Sequence, residues 1–245
     1  MSQLPTKSDP FGFPKTRWDL VVEAQGSEKA RNELLTLYNG PVFAYFRALT
    51  RDRGAAEELR QSFFVTELTR LTADSERGVI RRADQNKGRF RDFLKTSLRN
   101  HWLSSLRGTT NRPVSLDESA NSEADENLEA KIASAENAFL GNWARQVISD
   151  ALRAVEQTCH DRNQVQHFDL FMAHYFPPAG ADTSWEILAK KHGYKDGKTA
   201  RNRAETVLNH FRPIFSKTLL GEGPSGASLN EEIRDLLKIL GDDNA

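Results

Sequence analysis

Arg91, Lys95 and Arg99 recur at four-residue intervals within KGRFRDFLKTSLRNHWLSSLR, Lys87 to Arg107. On a helix they form one stripe, beside a second stripe of Phe90, Leu94, Leu98 and Trp102. Cations anchored along a buried apolar edge suit a phosphate backbone and suit a small-molecule pocket poorly; a solvated amphipathic helix is the plainer alternative. Arg89 and Asn100 join the same candidate surface. Near the other end, Lys198, Thr199, Arg201, Asn202 and Arg203 open a further helix after the turn residue Gly193. Leu188 and Ala189 pack the helix before that turn, which makes a helix-turn-helix. Side chains at the start of its second helix reach major-groove edges, where a bidentate contact discriminates by roughly 1–3 kcal/mol.

Covalent chemistry is not indicated. His101, His160, His167, His174, His192 and His210 lack metal-ligand clustering, although His167 and His174 share a helix face, and each reads best as a structural histidine. Cys159 reads as a core-edge residue rather than a nucleophile, and no glycine-rich phosphate loop is present.

Net charge is zero, with 34 basic and 34 acidic residues, but the charges are segregated. From Gly78 to Arg107, eight basic and two acidic residues give +6; from Arg112 to Glu136, two basic and seven acidic residues give −5. From Lys190 to Lys217, eight basic and two acidic residues give +6 again. A basic, acidic, basic order says more about partners than the total does. One cysteine excludes an internal disulfide and a cysteine-based zinc site. No apolar run approaches the roughly 20 residues of a membrane span, and the first residues lack the apolar core of a secretory signal, so the expected location is the cytoplasm.

Residues 1–14, rich in Pro, Gly and Ser, are expected to be disordered. Helices follow: Thr16 caps one running to Ala24, with Trp18, Val21 and Val22 inward. The next runs from Glu28 to Thr50, bending near Pro41, with Leu34, Leu37, Tyr38, Val42, Tyr45, Phe46 and Leu49 on its apolar side. A third covers Ala55 to Leu71, with Leu59 and Phe63 on a core face and Glu58, Gln61 and Val65 on an exposed face suited to protein docking. The basic helix comes next. The polar, acidic segment 109–133 reads as a linker. Helices resume over Ser134–Cys159, Gln164–Tyr175, Ser184–His192, where Thr183 and Glu186 form a capping box, and Lys198–Lys217. After a glycine-rich stretch, Leu229, Ile233, Leu236, Leu237 and Leu240 mark a closing amphipathic helix in 221–245, a candidate for self-inhibition or partner sensing. No strand is convincing. The expected fold is all-α, with two small helical domains, 15–108 and 134–220, joined by the acidic linker.

AEELRQSFF followed by GRFRDFLKTSLRNHWLSSLR resembles the promoter-melting (minus-ten) domain of the extracytoplasmic-function sigma factors, small bacterial initiation subunits of RNA polymerase within the sigma-70 family. The family pattern A-E-D-L-x-Q-x-x-F is matched at Ala56, Glu57, Glu58, Leu59, Gln61 and Phe64, with Ser62 where an acid is common. The pattern F-R-x-W/F-L-x-x-x-x-R-N-x-x-x-D-x-x-R-R is matched at Phe90, Arg91, Phe93, Leu94, Arg99, Asn100, Leu106 and Arg107, with Ser104 in place of the usual acid and Gly108 in place of the second arginine. The stretch TSWEILAKKHGYKDGKTARNRAETVLNHF is similar to the family's minus-thirty-five domain at Ser184, Leu188, Ala189, Gly193, Thr199, Arg201, Asn202 and Arg203, departing at Ile187 and Thr206.

The resemblance covers roughly Glu28 to Arg107 and Val147 to Lys217. It implies a non-enzymatic protein that binds core RNA polymerase through Glu58, Gln61 and Val65 and contacts promoter DNA through two surfaces. Arg89, Arg91, Lys95, Arg99, Asn100 and Trp102 would form the first; Lys198, Thr199, Arg201, Asn202 and Arg203 the second, with Arg203 toward phosphate. Opening a promoter needs cations for the backbone and a pocket or platform for unstacked bases, each worth about 1–3 kcal/mol. The loop Asp74–Asn86 and Trp102 are candidates for that platform, with core packing the better account of Trp102. The resemblance implies no cofactor, metal or membrane contact, a linker lying in the polymerase's nucleic-acid channel, and room for an anti-sigma factor or other regulator. Two alternatives stay open: a helix-turn-helix regulator acting without core polymerase, and a helical protein-binding adaptor.

Overall fold

The computed structural model describes residues 17–68, 79–84, 86, 88–109 and 121–220, apart from some side chains at helix ends. They form nine α-helices and, among the described residues, no strand: α1 Arg17–Ala24, α2 Glu28–Thr50, α3 Arg53–Phe63, α4 Val79–Arg82, α5 Phe90–Thr109, α6 Asn121–Asp161, α7 Val165–Tyr175, α8 Trp185–Lys191 and α9 Gly197–Leu220. A π-helical turn, Phe64–Leu68, prolongs α3. None of the described helices is long and apolar enough to cross a membrane. The expected disordered start, the Thr16 cap, residues 74–78 and 85 of the loop expected over 74–86, and the closing helix in 221–245 lie outside the described residues; within that expected loop, Val79–Arg82 is helical.

The chain divides into two compact units between Gln146 and Val147, inside α6. In the first, α2 starts where expected because the Ser27 hydroxyl accepts the Ala30 N–H, 3.3 Å. Asp52 caps α3 in the same way, accepting from Ala55 N–H at 2.7 Å. The core interleaves aromatic rings edge to face: Trp18 and Tyr38 against Phe90 at 5.8 and 5.3 Å, Phe46 and His101 against Phe63 at 6.2 and 5.5 Å. Phe90, Leu94 and Leu98 are fully buried, so the apolar stripe of α5 is the inner face of this bundle. Leu34, Tyr38, Val42, Tyr45 and Phe46 are buried as expected on α2, with Leu37 and Leu49 half-buried at the edge. Val22 does not pack inward; Leu20 takes that place beside Trp18 and Val21.

Residues 121–133, expected as linker, are helical and begin α6. Their composition explains this: Glu, Ala and Lys dominate EADENLEAKIA, and these residues lose little entropy in a helix. Ile132, Ala135, Phe139 and Trp143 then recur at helical spacing, and all four are buried in the first unit.

The second unit has its own core, in which Val155 and Cys159 of α6 meet Phe168 and Phe171 of α7, Leu188 and Ala189 of α8, and Ala200, Ala204 and Val207 of α9. Phe171 and Phe211 lie 5.8 Å apart within it. The capping box foreseen at Thr183 and Glu186 is absent. Ser184 is the N-cap of α8 and makes no side-chain bond; instead the Asp182 carboxylate accepts the Ser184 N–H at 2.8 Å, and the Thr183 carbonyl accepts His174 Nδ1–H at 2.8 Å.

Candidate nucleic-acid interface

The turn between α8 and α9 is built from three local devices. Gly193 adopts a φ of +73°, and Tyr194 N–H reaches back to the Ala189 carbonyl at 2.8 Å, closing α8 with a left-handed cap that a side chain at 193 would strain. Asp196 opens α9: its carboxylate accepts the Thr199 N–H at 2.7 Å, and bonds from the Thr199 hydroxyl and then its backbone N–H hold its carboxyl below the usual range. Gly197 is buried where α8 passes closest. A Cβ there would stand 2.7 Å from Glu186 Oε1 and 3.1 Å from the Trp185 carbonyl carbon.

With the turn so fixed, Lys198, Arg201, Asn202 and Arg203 are exposed in the first turns of α9. Thr199 is half-buried and occupied with the cap. Arg201 pairs with Glu205 one turn on, at 3.0 Å, an exposed contact of the kind that phosphate readily displaces. Arg203 sits near His167 and Tyr194; burial, and then its charge, hold the His167 imidazole below the ordinary histidine range.

The basic stripe of α5 is arranged differently from its expected role. Arg91 is 1% exposed, with its guanidinium over the Trp143 ring of α6 at 4.2 Å, so it faces the interior and not a phosphate. Lys95 is half-buried and pairs with Asp92 at 3.3 Å. Arg99 pairs across to Glu129 of α6. Asn100 is exposed and Arg89 half-exposed. Trp102 is half-buried with its Nε1 enclosed, which accords with packing rather than a base platform.

Arg89 instead lines a cavity of about 420 Å³ at the start of α5, together with Trp18, Arg82, Asp84, Asp92, Phe93 and Thr96. The Arg82 guanidinium stands 6.0 Å from the Phe93 ring centroid. Nothing in the one-dimensional pattern ties Trp18 to Arg82 and Phe93, because they meet only through packing. Trp143 and Glu129 were missed for a related reason: they lie on the helix that covers α5.

On α3 and the π-helical turn that prolongs it, Glu58, Gln61 and Val65 are all exposed, Val65 at 66%, while Ala56 and Phe63 are buried. Leu59, expected on the core face, is half-buried. Arg60 ties this helix down, bonding to Glu57 beside it and to Asn39 of α2. Among the described residues no group of three or more His, Cys, Asp or Glu side chains could hold a metal ion. Comparison with models of protein families, with curated proteins and with solved structures yields no match.

Proposed function

We propose that the chain is a sigma-type initiation subunit that binds core RNA polymerase, recognises promoter DNA and assists strand opening. The observation that carries this reading is the opening of α9, where Lys198, Arg201, Asn202 and Arg203 stand exposed directly behind a capped, glycine-turned junction with α8. Such an end can enter a major groove with Arg201 and Asn202 toward base edges and Arg203 toward phosphate.

Two features of the first unit support the rest. The exposed face Glu58, Gln61 and Val65 is polar around one apolar residue, as a docking contact with a large protein partner requires. The cavity beside Arg82 and Arg89 combines cations, carboxylates and an aromatic wall, a lining suited to an unstacked base next to its phosphate.

A DNA-binding regulator acting without polymerase is the second reading. It is favoured by the internal engagement of Arg91 and Arg99, which leaves α9 as the plainest DNA-contacting surface. Co-purification separates the two. The purified chain should retain core polymerase, and Gln61→Ala with Val65→Glu should abolish that retention while leaving duplex binding intact. Absence of any complex with core polymerase would leave the regulator reading.

A further inference from the structure

We propose that the amino-terminal half of α6 serves as an internal stand-in for nucleic acid, with Glu129 taking the place of a phosphate on Arg99. The inference rests on the reading of α5 as a nucleic-acid contact. Arg99 meets Glu129 and Arg91 meets Trp143, so the two helices run antiparallel within the first unit. Glu129, Glu136 and Trp143 are spaced at seven-residue intervals and so share one face of α6. Both carboxylates and Arg99 act electrostatically on the buried Tyr45 of α2, which puts them around one spot.

The two ends of this contact differ in the property that matters. Arg91 and Trp143 are sealed at 1% and 0% exposure, whereas the side chains of Arg99 and Glu129 are 38% and 59% exposed. Water and salt reach the second pair, so an incoming phosphate can exchange with Glu129 at the side-chain level. No helix need leave, because Ile132, Phe139 and Trp143 keep α6 docked. The consequence is a small, salt-sensitive cost: a strand that reaches Arg99 must first exchange with Glu129.

The test uses the full chain without polymerase and a fluorescein-labelled, mixed-sequence single strand, read by anisotropy. Glu129→Gln should tighten binding about two- to fivefold at low salt, and the gain should vanish as salt rises. In an Arg99→Gln background the same substitution should give no gain. Unchanged or weaker binding by Glu129→Gln, an equal gain in both backgrounds, or no binding by any form would each overturn the inference. Transcription assays keep the two proposals apart. Core polymerase that initiates with the wild-type chain, combined with no effect of Glu129→Gln on strand affinity, sinks only this inference. The affinity gain without any initiation sinks only the initiation reading.

Discussion

A guanidinium taken out of water costs several kcal/mol unless it is stacked or hydrogen-bonded, and Arg91 meets part of that demand on the indole face of Trp143. The pair is therefore structural. Trp143→Ala should cost about 3–5 kcal/mol, from the lost ring volume together with the lost cover over Arg91, read as a lowered denaturant midpoint. At the other site the same residue type works outward. Arg203→Ala should weaken duplex binding by a similar factor at every sequence and reduce the slope of log affinity against log salt by about one, measured by titration at several salt concentrations. Arg201→Ala should instead cost roughly 1–3 kcal/mol at preferred sites only. Arg91 and Arg203 could not be told apart by type or spacing; what separates them is whether another helix lies over the face.

Between α8 and α9 the angle depends on a glycine that has no room for a methyl group. Gly197→Ala would force a Cβ against Glu186 and the backbone of Trp185. The expected cost is about 1–3 kcal/mol with a loss of duplex affinity, while circular dichroism retains most of the helix signal. The turn between α8 and α9 was legible in the sequence because its devices are local: Gly193 for the turn, Leu188 and Ala189 for the inner face. The bounds of α2, Glu28 to Thr50, were legible through the apolar side that Leu34, Tyr38, Val42 and Phe46 mark at helical spacing. The beginning of α6 was not. An acidic, apolar-poor stretch resembles a spacer, and the burial of Ile132 that sets it apart belongs to tertiary packing rather than to local sequence. The cavity by Trp18 escaped sequence reading because its walls come from α1, α4 and α5.

Across the molecule, pH should act on the second unit through two histidines. Burial holds His167 and His210 below the usual value of 6.5, helped by Arg203 and Arg162 respectively. The unfolded chain then binds these protons at higher pH than the folded one, so stability is at its full level above about pH 6.5 and falls as pH drops below it. Urea midpoints followed by tryptophan fluorescence should decline from neutral pH toward pH 5, and His167→Gln with His210→Gln should flatten that decline. The charges segregated along the chain do not stay apart in space: the acidic stretch lies partly against the basic one, through Glu129 and Arg99. The central claim, that these surfaces together start transcription, is tested most directly by adding the purified chain to core RNA polymerase on a library of genomic promoter fragments and sequencing the transcripts. The account predicts chain-dependent start sites sharing two upstream elements, lost with Arg201→Ala plus Arg203→Ala. Transcripts identical with and without the chain would contradict it.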